Sequence, residues 1–159
     1  MDQEKALREE LVFQLTKGHA HISFAEAVDN FPVEKINTRF TNGDYTFWDL
    51  LEHIRRTQND ILEFIENPNY KDREWPKDYW PEKDKIALKE DWDETVKLFR
   101  EDQKKLHVII EDEKNDLYAK IPHGTGQTLL REIMVIVDHN AYHIGEFAIM
   151  RQIFDTWKK

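Results

Sequence analysis

The sequence predicts an all-α protein: a four-helix bundle formed by one domain over residues 1–159. Three observations lead there. Four long segments repeat apolar residues at three- and four-residue steps. Glycine and proline, five of each, fall almost entirely between those segments. No stretch alternates apolar and polar residues for long enough to make a strand.

The first segment runs from about Gln3 to Lys17, with Leu7, Leu11 and Leu15 one turn apart, and stops at Gly18. A short helix follows, because Ser23-Phe24-Ala25-Glu26 has the form of a capping box. The second long segment begins after Thr46, a good N-cap, and ends near Asn67, before Pro68. The third spans about Asp84 to Glu113. Its Trp92, Val96, Phe99, Gln103, Leu106 and Ile110 step by four and three, the spacing of a helix seam. The fourth runs from near Thr128 to about Thr156. Between the second and third, Pro68, Pro76 and Pro81 are interleaved with Tyr70, Trp75, Tyr79 and Trp80. A disordered linker is poor in aromatics. This joint is therefore expected to lie on the bundle as an ordered crossover, joining helices that are not antiparallel neighbours.

Composition excludes several classes of function. Lys and Arg number 23 against 32 Asp and Glu, a net charge of −9 without a basic patch, so nucleic-acid backbones are repelled. Cysteine is absent, which removes disulfides, Cys-ligated zinc, iron–sulfur clusters and a catalytic thiol of the chain's own. No apolar run approaches the ~20 residues that span a membrane. The first ten residues lack the apolar stretch of a signal peptide. The expectation is a soluble cytoplasmic protein.

Candidate chemistry rests on histidine, of which there are seven. His139 and His143 are four apart in the fourth helix and project from one face, the spacing at which a helix offers two imidazoles to one metal. At about 100° per residue they flank the apolar stripe Leu129, Ile133, Ile136, Ile144 and Phe147, in line with Glu132, Glu146 and Met150. In the second helix His53 flanks its own stripe in the same way, beside Asp49 and Thr57. Two readings of the spacing stand: three imidazoles converging from two helices, or three boundary histidines bonded to neighbouring carboxylates.

The segments Trp48-Asp49-Leu50-Leu51-Glu52-His53-Ile54 and Asp138-His139-Asn140-Ala141-Tyr142-His143-Ile144-Gly145-Glu146 resemble the DinB/YfiT-like family of metal-binding four-helix bundles. Gly18-His19-Ala20-His21 and Ile121-Pro122-His123-Gly124-Thr125-Gly126-Gln127-Thr128 resemble one DinB-like subfamily. The resemblance implies an up-down-down-up bundle with a long connection between helices two and three, and a homodimer. It implies a divalent transition metal, zinc or nickel, on His53, His139 and His143, and in several relatives chemistry that uses a low-molecular-weight thiol.

Three neutral imidazoles leave the full charge on the metal and one open position, the arrangement of catalytic zinc. A metal-bound water can attack a carbonyl or phosphoryl group, or the position can take an external thiol. Glu146, and less so Glu132, can orient an imidazole or act as a base, and Asp49 can orient His53. His19 and His21 can reach the cleft or stabilise a turn. The His123 loop leads into a helix N-terminus, where an anion can dock, with a loop-capping role as the first reading. Gly145 costs about 1 kcal/mol inside a helix, for which a contact between helices is the favoured reason over close approach of a substrate. The expected function is a metal-dependent hydrolase or thiol transferase acting on a small molecule. A non-catalytic metal-containing stress-response or small-molecule-binding protein is the alternative. No histidine has Glu three residues before it and H-E-x-x-H is missing, which sets aside ferritin-like di-metal and common zinc-protease sites.

Overall fold

The four α-helices from Phe24 onward begin where a side chain bonds a backbone amide at the helix start. The computed structural model describes residues 3–18 and 20–157. Its elements are α1 (Gln3–Thr16), α2 (Phe24–Val28), a single 3-10 turn at Val33–Lys35, α3 (Phe47–Glu66), α4 (Lys89–Glu111) and α5 (Leu129–Ile153). Ser23 and Glu26 close the expected capping box on α2, and Thr46 with Asp49 closes another on α3. Among the described residues there is no strand, only an isolated pairing of Lys120 with Thr128.

Two boundaries differ from expectation. The third long helix, α4, starts at Lys89 rather than near Asp84, because Asp91 accepts the Leu88 N–H at 2.8 Å and caps the helix there. The preceding residues are held extended by Asn37, whose amide bonds both the N–H and the carbonyl of Ala87 at 2.9 Å. The last helix, α5, ends at Ile153 rather than Thr156. Buried Arg151 turns its guanidinium to the Thr156 carbonyl at 2.8 Å and the Ala27 carbonyl at 2.6 Å, tying the chain end onto α2.

Cross-helix bonds give the topology. Arg8 reaches the Ile110 carbonyl at 2.6 Å while Gln103 reaches that of Leu15 at 2.7 Å, so α1 and α4 are antiparallel. Trp48 pairs with Thr95, Gln58 with the Phe99 carbonyl and Asn59 with Asp102, so α3 and α4 run in parallel. Phe47 meets Phe147 and Gln58 takes a bond from Asn140, so α3 and α5 are antiparallel. The four long helices are therefore up, down, down and up.

Two parallel neighbours need a long return, and residues 67–88 supply it. Buried Asp60 of α3 accepts the Tyr70 hydroxyl at 2.8 Å and the Tyr79 hydroxyl at 2.6 Å, and pairs with Arg73 at 3.1 Å. Arg56 holds the Trp80 carbonyl at 2.9 Å and is itself paired with buried Glu52. Burial alone raises the Glu52 carboxyl, but Arg55 and Arg56 outweigh it and leave it below its ordinary value. The crossover is ordered, as its aromatic content predicts. It lies over the face where α3 meets α5.

Candidate metal centre

The antiparallel contact between α3 and α5 brings His53, His139 and His143 together. One nitrogen of each lies within 4.8 Å of the others. The Nε2 atoms of His53 and His139 are 3.2 Å apart. Two nitrogens bound to one tetrahedral zinc stand about 3.3 Å apart, given Zn–N distances near 2.05 Å. The spacing fits.

Hydrogen bonds select the lone pairs. His53 Nδ1 lies 3.0 Å from the Tyr79 carbonyl, which only accepts, so Nδ1 carries the proton and Nε2 is bare. His143 Nδ1 donates to Glu146 Oε2 at 2.9 Å, which likewise leaves its Nε2 bare. Among the described residues His139 Nδ1 is buried with no partner, and so is Oγ1 of Thr57, one turn beyond His53. A cluster of bare and orphaned polar atoms at this depth is incomplete by itself.

Burial holds all three imidazoles neutral at ordinary pH. It lowers the pKa of His53, though the bond to Tyr79 opposes it. Burial, then His53, brings His139 down to about 4. Burial, then His139 and His53, brings His143 down to about 3. Metal ligation requires neutral imidazole, so the site is ready without a proton leaving. The Glu146 carboxyl is raised by burial.

The metal-free protein is expected to lose stability on acidification. Below about pH 6.5 the unfolded chain protonates these histidines and the folded site refuses the protons, so stability is full above that pH and falls on acidification. The raised Glu146 offsets part of the loss. Urea denaturation of metal-free protein is expected to show about 1–3 kcal/mol less stability at pH 5 than at pH 7.5. Equal stability at the two pH values would contradict the neutral, buried cluster.

The remaining candidates lie elsewhere. Asp49 Oδ2 takes the N–H and the hydroxyl of Thr46, both at 2.8 Å, so it caps α3, and the group orienting His53 is the Tyr79 carbonyl. Glu132 is buried in the first turn of α5, two turns before His139, beside Arg131. His21 is exposed and bonds the Ile22 carbonyl at 2.8 Å, and with Phe24, Asn140 and Ile144 it lines a small cleft on another side of α5. His19 lies outside the described residues. His123 Nε2 meets the Phe64 carbonyl at 2.6 Å and fastens its loop to the far end of α3, while the α5 N-terminus is capped by Thr128. A Cβ built at Gly145 meets nothing within 4 Å among the described residues, so no close helix contact there requires the glycine that packing was expected to explain.

Sequence reasoning missed the aromatic wall. Trp80 lies flat on His53, with centroids 4.0 Å apart and planes 2° apart. Tyr45 stacks on Trp80 at 5.3 Å, and its hydroxyl donates to Glu146. The concentration of aromatics in the crossover was the available signal.

The family profile of the DinB superfamily matches residues 20–147, about four fifths of the chain, and spans all three histidines. The chain belongs to the DinB superfamily. Searches of curated proteins and of solved structures returned no match. The helical bundle and the three-histidine cluster of this DinB-superfamily chain agree with the resemblance carried by the residues around His53 and His139.

Proposed function

We propose that this DinB-superfamily chain is a divalent-metal protein in which His53, His139 and His143 hold zinc or nickel and leave a position open for a small-molecule substrate. The observation that carries the reading is the triangle of imidazole nitrogens within 4.8 Å, with the tautomers of His53 and His143 set by acceptors behind them. Three neutral ligands leave the metal its full charge, which suits hydrolysis by bound water or activation of an external thiol. With no cysteine in the chain, a thiol has to arrive as a low-molecular-weight co-substrate. The net charge of −9 supports a reading without nucleic acid. Among the described residues no helix is long and apolar enough to cross a membrane, which supports a cytoplasmic one. A homodimer is supported by the family resemblance and by Met134, Tyr142, Ile149 and Ile153, which lie exposed along α5.

One observation favours a second reading, a non-catalytic metal-containing stress-response or small-molecule-binding protein. Glu146, the carboxylate bonded to His143, already takes bonds from both Tyr45 and His143, which suits holding better than proton transfer.

Metal analysis tests the proposal. Protein purified without chelators is expected to carry about one equivalent of zinc or nickel per chain, and less than about half an equivalent would overturn the reading. A screen of ester, amide and thiol-adduct substrates with the loaded protein then separates enzyme from binding protein.

A further inference from the structure

Glu146 is held from two sides. Its Oε2 takes the Nδ1–H of His143 at 2.9 Å, and its Oε1 takes the hydroxyl of Tyr45, from the loop entering α3. A glutamate one turn from its histidine has three torsions and, with one partner, exchanges that partner for water. The second partner removes that freedom.

Tyr45 is itself fixed. The next residue, Thr46, is locked to Asp49 by the capping box, and the chain beyond is pinned where Trp48 N–H meets the Ile36 carbonyl at 2.9 Å. Its ring stacks on Trp80 at 5.3 Å, and Trp80 lies on His53. A chain of contacts thus runs from His53 through Trp80, Tyr45 and Glu146 to His143. It ties together, from outside the cluster, two ligands that sit on different helices.

Resting on the metal reading above, we infer that Tyr45 is a positioning residue: by immobilising Glu146 it keeps His143 in the Nδ1–H tautomer with Nε2 free for the metal. It acts through Glu146 and touches neither metal nor substrate. The capping box gains a role with it, since Asp49 sets the loop that presents Tyr45.

Tyr45→Phe is the direct test, because it keeps the ring and its stacking and removes only the hydroxyl. In metal-free protein, long-range proton–nitrogen NMR of the imidazoles reads the tautomer without any metal. His143 is expected as Nδ1–H in the unsubstituted chain, with a measurable Nε2–H population in Tyr45→Phe. Zinc affinity, read by competition with a chromophoric chelator, is expected to fall about five- to tenfold in Tyr45→Phe and about 10- to 100-fold in Glu146→Ala. In the Glu146→Ala background, Tyr45→Phe is expected to add less than about twofold. An unchanged tautomer with unchanged zinc affinity overturns the proposal. So does a Tyr45→Phe effect that persists undiminished once Glu146 is alanine, which would make the hydroxyl's role merely structural. If the unsubstituted chain takes up no zinc, the metal reading fails instead, and the His143 tautomer still decides for or against Tyr45.

Discussion

Replacing His139 by alanine is expected to lower zinc affinity about a hundred- to a thousandfold while leaving the fold intact. Structural zinc sites with four ligands are worth about 10–16 kcal/mol, or roughly 2.5–4 kcal/mol for each ligand, which converts to a loss of that order. His139 is the cleanest of the three to remove. His53 supports the Trp80 ring and bonds the Tyr79 carbonyl, so its loss also loosens the crossover. His143 anchors Glu146. Among the described residues His139 Nδ1 has no partner, and its Nε2 meets the ring nitrogen of His53, so His139→Ala takes little from the rest of the molecule. Part of the acid sensitivity predicted for the metal-free protein should disappear with it, because one of the depressed imidazoles is gone. Metal content after gel filtration and a chelator titration check the first effect, and denaturation at pH 5 and pH 7.5 the second. A variant that still binds zinc within about threefold of the unsubstituted chain would mean that His139 is a boundary histidine and not a ligand.

The histidine cluster was legible only in part from spacing, which left convergence and three separate boundary histidines equally open until the family resemblance favoured convergence. Four residues separate His139 from His143, and helical phase placed both, like His53, on the flank of an apolar stripe. Two facing flanks on antiparallel helices then meet. The bundle was legible from the same spacing, down to the capping boxes at Ser23 and Thr46. Asp49 shows where local reasoning misleads. Counting one turn back from His53 made it a candidate orienter, but a carboxylate at the third position of a helix has free amides closer at hand, and the Thr46 cap takes it. The start of α4 fails similarly: the pattern cannot say which acidic residue caps the helix, and Asp91 does so in preference to anything near Asp84.

What the spacing could not show is everything the crossover contributes. Tyr79 gives the site a carbonyl and Trp80 a ring face, and both positions depend on bonds to Asp60 and Arg56 across 19 and 24 residues of sequence. No period encodes such a register. Composition said only that the segment was too aromatic to be left in water.

That dependence makes Asp60 the second site of large effect. Asp60→Ala is expected to cost about 2–4 kcal/mol of stability, since it strips the acceptor from two tyrosine hydroxyls and from the Arg73 guanidinium in a half-buried setting. Burial first, and then the bond to Asp60, pushes both tyrosine hydroxyls above their ordinary range, so in the unsubstituted chain they stay protonated and donate to Asp60. Arg73 keeps Glu63, Asn59 and the Arg56 carbonyl, and Arg56 keeps the Trp80 carbonyl, so the segment loosens around Tyr79 without leaving the bundle. The consequence for the site is specific. His53 loses a steady acceptor for Nδ1–H, its tautomers mix, and zinc affinity falls about tenfold although no ligand has changed. Asp60→Asn, which keeps one acceptor oxygen, should lie between the two in both measurements. Urea denaturation reads the stability, hydrogen exchange of the crossover amides reads the loosening, and zinc competition reads the site. Lost stability with unaltered zinc affinity would show that the crossover merely covers the cluster, and the Tyr79 carbonyl would then have no part in aiming His53.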